Sequence, residues 1–331
     1  MVRIAVLGAG RIGRIHAGNA AANPHATLVA IADPFGSAAA ELAGRLSTEP
    51  SLDPVQTIER DDVDAVVIGT PTDTHVDLLL HAVRHGKAVL CEKPIDLDLA
   101  RVDEAVAEIE RLKGRVMLAF NRRFDPSNRE LRNAIDAGEI GDVRQVVISS
   151  RDPGLPPEGY LRSSGGIFRD MTIHDFDMAR WLLGEEPVEI SAIGSRLVNS
   201  ALMDSVDDYD TVMVQMRTAS GRQCHINNCR EAVYGYDQRF EIFGSTGALF
   251  NENLRATTVR RWTGNQTEAR QPLLNFFLER YADAYRAEMD AFITAVESNT
   301  AFPVTPADGR QALLLADRAL ESLRTGRTVT V

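Results

Sequence analysis

A doubly wound parallel sheet followed by an α+β domain with a large, mostly antiparallel sheet is the fold class this sequence predicts. Through the first third of the chain, short apolar runs alternate with helical patterns, which is how buried parallel strands with crossover helices read. After Phe120 the rhythm changes to strands separated by short polar turns. At 331 residues the chain also exceeds one typical core. The expected division is therefore a first domain over 1–120 and a second over 121–331.

In the first domain the strands are read at Ile4 to Leu7, Leu28 to Ala32, Ala65 to Ile68, Ala88 to Cys91 and Val116 to Phe120. Helical patterns lie between them, near Ile12 to Ala22, Ser37 to Leu46, Thr74 to Arg84 and Leu99 to Arg111. In the second, a helix near Asn128 to Ala137 leads to a strand at Val143 to Ser150 and a Pro/Gly-rich stretch from Asp152 to Gly166. A helix from Ile173 to Leu183 precedes strands near Val188 to Val198, Thr211 to Arg217, Gln223 to Asn228 and Arg239 to Phe243. Helical patterns at Asn275 to Glu297 and Ala307 to Arg324 close the chain, with Gly326 as C-cap before a short final strand.

Charge and composition narrow the function classes. With 36 Lys and Arg against 47 Asp and Glu the formal charge is -11, and no basic run offsets it locally, so nucleic acid is not an expected partner. No window approaches the roughly 20 apolar residues that span a bilayer, and the apolar run at Ile4 to Leu7 is too short for a signal peptide. No membrane partner and a cytoplasmic location are expected. Cys91, Cys224 and Cys229 are odd in number and lack metal-ligand spacing, so they read as small core residues, and no metal is expected.

The first strand runs into Gly8-Ala9-Gly10-Arg11-Ile12-Gly13 and a helix follows, which is the context of a Rossmann dinucleotide site. Gly8 permits the tight turn, Gly10 lets the backbone approach a pyrophosphate, and Gly13 lets helix and strand pack closely. The helix N-terminus adds unpaired N–H groups and partial positive charge. Asp33, directly after the second strand, is placed to accept hydrogen bonds from the adenosine ribose and to repel a 2′-phosphate. NAD is therefore expected over NADP, with Arg11 a weaker influence toward NADP. Thr70, Pro71 and His75 follow the third strand and should line the nicotinamide side, with His75 contacting cofactor or capping its helix.

The strand Ala88 to Cys91 runs into Glu92-Lys93-Pro94, so Lys93 stands at the carboxyl edge of the sheet, where open α/β folds bind ligands. It can hydrogen-bond a reacting oxygen and stabilise a developing alkoxide. A cis bond before Pro94 would fix its direction. Glu92 joins Lys93 among the expected cofactor contacts. Downstream, Gly165 to Asp177 places a polar cluster at the start of an apolar helix. His174 is a candidate general base. Asp170, one turn earlier, either orients its imidazole, holds a substrate hydroxyl or caps the helix.

Together the Gly8 loop, Glu92-Lys93-Pro94 and the Gly165-Gly166 to His174 segment resemble the Gfo/Idh/MocA oxidoreductase family, over essentially the whole chain. The resemblance implies that Lys93, Asp170 and His174 form the catalytic set. Asn121 to Pro126, Arg151 to Pro153, His174 to Arg180 and Tyr234 to Arg239 are similar to the inositol-oxidising members. That implies NAD-linked oxidation of myo-inositol to the 2-keto compound by a homotetramer assembled through the second-domain sheet. A polyol needs many buried donors and acceptors. Arg123, Asp152, Asp177, Tyr236 and Tyr281 are the expected suppliers beside Lys93, Asp170 and His174. Another cyclitol or an aldose, or NAD binding without catalysis, are the alternatives.

Overall fold

The computed structural model describes all residues, Met1–Val331. By compactness the chain divides into two units, Met1–Phe124 with Ala284–Leu313, and Asp125–Asp283 with Leu314–Val331. Residues 284–313, which a linear reading assigns to the second domain, are thus part of the first unit.

Unit 1 is built on a six-stranded parallel sheet of β1 (Val2–Leu7), β2 (Ala26–Ala32), β3 (Glu49–Ser51), β4 (Ala65–Ile68), β5 (Ala88–Cys91) and β6 (Val116–Leu118). Their order is β3-β2-β1-β4-β5-β6, so the winding direction reverses between β1 and β4. Strands β4, β5 and β6 are buried at every position, because helices cover both faces and leave no solvated side to alternate toward. The crossovers are α1 (Arg11–Ala22), α2 (Gly36–Leu46), α3 (Pro54–Glu59), α4 (His75–Arg84) and α5 (Leu99–Leu112). Asp53 and Asp98 cap α3 and α5 with their carboxylates. The short β3 and α3 were not expected from sequence, since three residues and six residues carry too little periodicity.

Unit 2 opens with α6 (Pro126–Asp136), capped by Asp125 with Pro126 in the first turn. Its seven-stranded sheet uses β7 (Val143–Arg151), β8 (Pro187–Ser195), β9 (Thr211–Thr218), β10 (Gln223–Cys229), β11 (Asp237–Gly244), β12 (Ala248–Asn251) and, after the hairpin β13 (Arg260–Thr263) and β14 (Gln266–Arg270), the terminal β15 (Val329–Thr330). The order is β12-β11-β7-β10-β9-β8-β15, and only β10 with β7 is parallel. Burial alternates along β9 and β11, the mark of a sheet covered on one face. Helix α7 (Glu158–Ser163) lies within the Pro/Gly-rich stretch, and α8 (Ile173–Leu183) has the expected bounds. The single helix expected over Asn275 to Glu297 is instead two, Phe277–Arg280 and Ala282–Ser298, broken at Tyr281. Cys91 and Cys224 are buried, and burial pushes both thiols up, whereas Cys229 is only half-buried.

Candidate active site

In unit 1 the loops after β1, β4 and β5 meet at the carboxyl ends of adjacent strands. Gly8 has φ 99°, and a Cβ there would lie 2.6 Å from the Gly69 carbonyl oxygen, so no other residue fits. A Cβ on Gly13 would strike the Gly8 carbonyl. Gly10 differs: a Cβ there would meet nothing within 4 Å, so the protein's own packing leaves that space open. Helix α1 begins here with no side-chain cap and no acidic residue in its first turn. An open approach to uncapped N–H groups is what a pyrophosphate requires, and the residues fit a dinucleotide.

Asp33 reaches back to this loop, its Oδ2 accepting from the Ala9 N–H at 2.7 Å and its Oδ1 from Phe35 N–H at 2.8 Å. The carboxylate is thereby aimed along the glycine loop with lone pairs remaining for a ribose. Arg11 is exposed and Ile12 half-buried on the first turn of α1. Thr70 is half-buried and Pro71 exposed on the next loop, where the Thr70 and Thr74 hydroxyls bond at 2.7 Å.

His75 is buried, with Nδ1 at 2.8 Å from the Pro94 carbonyl and Nε2 at 2.9 Å from the Thr70 carbonyl. It is a clamp between two loops and offers no ring nitrogen to a ligand. The Lys93–Pro94 bond is cis, and Lys93 is half-buried beyond the end of β5. Glu92 turns inward: its Oε1 lies 2.8 Å from His16 Nε2 and its Oε2 accepts from the Lys93 N–H at 3.3 Å. Arg123, 8% exposed, pairs with Asp308 at 2.9 Å. Burial acts to raise the Asp308 pKa, yet Arg123 and the Thr305 donors hold it below the ordinary value.

Unit 2 supplies the second group. Gly165 and Gly166 both take positive φ, and a π-helical turn, Phe168–Thr172, then runs into α8. Such turns are rare and often mark functional sites. Asp170 lies in it. Within Met171–Ala179 every residue is buried except His174. Asp175 anchors this helix to the sheet, accepting from Ser150 Oγ at 2.6 Å and from Asn228 Nδ2 at 2.8 Å.

Asp170 is held by two partners that lay outside the expected set. The Tyr160 hydroxyl donates to its Oδ1 at 2.7 Å, and Arg230 Nη1 donates to its Oδ2 at 3.1 Å. Arg230 is fully buried; burial opposes its charge, but Asp170, Asp208 and Asp152 raise its pKa above the ordinary value. Asp208 stands 3.7 Å away on its other side, its own pKa pushed up by burial against the Ile167 N–H and Arg230. No local motif announces Arg230, because its partners come from elsewhere in the chain.

Among the expected substrate contacts, Asp152 is half-buried at the end of β7. Asp177 is fully buried, 3.8 Å from Arg180. Tyr236 and Tyr281 are 6% and 1% exposed and pack edge to face, centroids 6.0 Å apart, so most of their surface is spent on each other and the core.

A dinucleotide cradle beside a lysine at the carboxyl edge of a doubly wound sheet is the arrangement of a nicotinamide-linked oxidoreductase. Residues 2–120 match the oxidoreductase family with an NAD-binding Rossmann fold, and residues 128–250 match the GFO/IDH/MocA C-terminal domain. The chain belongs to the Gfo/Idh/MocA family of oxidoreductases, and NAD is its cofactor. It is 49% identical to the inositol 2-dehydrogenase of Rhizobium meliloti, over 100% of this chain and 99% of the relative. Among solved structures it is similar to a myo-inositol dehydrogenase from Corynebacterium glutamicum, with TM-score 0.96, 48% identity and 100% and 99% of the two chains covered. It is also similar to scyllo-inositol dehydrogenase from Lactobacillus casei with bound NAD(H) and scyllo-inositol. There the TM-score is 0.93 at 29% identity, covering 100% and 99%.

Proposed function

We propose that this chain oxidises myo-inositol to the 2-keto compound, with Lys93, Asp170 and His174 as the catalytic residues. The observation that carries the assignment of roles is His174 itself, the one residue of Met171–Ala179 left partly exposed, on a helix pinned by Asp175. The full-length likeness to inositol dehydrogenases supports the substrate.

His174 takes the hydroxyl proton as the C–H bond gives up its hydride. Lys93 donates a hydrogen bond to the same oxygen and stabilises the charge that develops there. Asp170, fixed by Arg230 and Tyr160, orients the imidazole or holds a neighbouring hydroxyl. Gly8 to Gly13 and Asp33 would hold NAD, which would supply the hydride acceptor. Asp152 and Arg123 complete the polyol contacts, while Asp177, Tyr236 and Tyr281 support the wall behind them. The enzyme works in the cytoplasm as a homotetramer.

The test is formation of NADH with myo-inositol at mildly alkaline pH, with His174→Ala alongside. Turnover should depend on the polyol and fall by about 100-fold or more in the variant. Turnover with scyllo-inositol or glucose but not myo-inositol would replace the substrate and keep the mechanism. Tight NAD binding without turnover on any polyol would overturn the catalytic reading.

A further inference from the structure

Two imidazoles and a carboxylate converge where α3 and α4 end. Glu59 is the last residue of α3, His81 lies in the last turn of α4, and His85 is the residue that ends it. One donor atom from each lies within 4.8 Å of the other two. His81 Nε2 is 3.0 Å and His85 Nε2 3.9 Å from the same Glu59 oxygen, and the two rings sit 4.3 Å apart. A tetrahedral ion with nitrogen and oxygen ligands at about 2.0–2.1 Å separates its ligand atoms by roughly 3.3 Å. The two measured separations bracket that value, so small side-chain swings close the set.

The His85 ring is oriented with Nε2 toward Glu59. Its Nδ1 lies 2.9 Å from the His81 carbonyl oxygen, which can only accept, so Nδ1 is the nitrogen engaged with the backbone and Nε2 is the one turned to the cluster. Metal-bound histidines commonly donate their other N–H to a group of this kind. The neighbouring cations are engaged elsewhere: Arg60 with Glu49 and Asp62, and Arg84 with Glu108. Glu59 therefore remains the local countercharge for an ion.

We propose that Glu59, His81 and His85 form a binding site for a divalent transition metal, zinc foremost, with water in the fourth position. Two nitrogens and one carboxylate oxygen suit zinc, nickel or copper over magnesium or calcium, which prefer oxygen alone. None of the three residues belongs to the cofactor or catalytic groups. The ion would act as a clip between α3 and α4 in unit 1, and by mass action would stabilise that unit.

The experiment titrates metal-stripped full-length protein with Zn²⁺ by calorimetry and with Co²⁺ by visible absorption. The expected result is one ion per chain, tetrahedral Co²⁺ bands, and a melting temperature raised by about 5 °C at a hundredfold excess over Kd. His81→Ala with His85→Ala should abolish the bands and the thermal shift while keeping a cooperative transition in metal-free buffer. Glu59→Gln, which preserves shape, should weaken binding by about tenfold or more and serves if the double variant does not fold. Binding by these variants equal to the parent's, or no stoichiometric ion on the parent at micromolar zinc, would overturn the site.

Discussion

Arg230 has no exposed surface, and its Nη1 donates to Asp170 Oδ2, so its guanidinium holds that carboxyl in place. Removing one partner of a buried pair strands the other charge, at a cost of roughly 3 to 5 kcal/mol, so truncation tests folding more than catalysis. Arg230→Lys keeps the charge and loses the fork that aims it. We expect kcat lowered about tenfold, with the dissociation constant for NAD unchanged by fluorescence titration. A second buried group, Glu288 in unit 1, has neither carboxyl oxygen hydrogen-bonded. Burial, with Glu92 adding to it, raises its pKa well above the ordinary 4.5. The folded state thus holds a proton that the unfolded state releases. Its contribution to stability is complete below pH 4.5 and is lost as pH rises from there toward the raised value. Glu288→Gln removes this titration, and its melting temperature should exceed the parent's by about 3 °C at neutral pH, with the gap closing toward acid.

At the scale of elements, α8 is a helix whose position is decided by one aspartate. Asp175 takes donors from β7 and β10, and Thr172 Oγ1 adds a bond at 2.6 Å to the same Asn228. Asp175→Ala should remove the acceptor that Ser150 Oγ and Asn228 Nδ2 share and destabilise the protein by about 2 kcal/mol, read by denaturant unfolding. The bounds of α8 were legible in the sequence because its apolar run and Gly184, at φ 66°, are local signals. The π-helical turn before it was not, since an extra residue in a turn leaves no periodic mark. The break at Tyr281 was equally silent: the apolar pattern runs through Asn275 to Glu297 without a Pro or Gly to interrupt it.

Across the whole molecule, the uncovered face of the seven-stranded sheet carries Ile193 opposite Met213, exposed 67% and 48%, with Phe243 and Phe250 farther along at 43% and 65%. Exposed apolar area of this kind marks an interaction surface, and it supports the proposed homotetramer. Met213→Asp with Ile193→Asp should lower the mass measured by light scattering. An unchanged mass would overturn the reading of this face as an interface between copies. The linear division at residue 120 also meets its limit at this scale, since Ala284–Leu313 returns to unit 1. In unit 1, Arg115 binds the Ala295 and Thr300 carbonyls, at 2.6 and 2.9 Å. No pattern within either segment encodes such a pairing.

What the sequence by itself determined is whatever a few consecutive residues can enforce. Gly8 and Gly13 cannot be other residues at that turn, and Lys93 follows just beyond a strand whose apolar run is unmistakable. The alternation of strands and helices identified the doubly wound sheet for the same local reason. What only the tertiary structure decided is pairing between distant residues. Arg230 and Tyr160 fix Asp170, His75 clamps Thr70 to Pro94, Asp308 takes up Arg123, and Glu59 meets His81 and His85. Each of these depends on which strand edges the chain brings side by side, and electrostatic partners in a folded interior are set by that proximity and by burial.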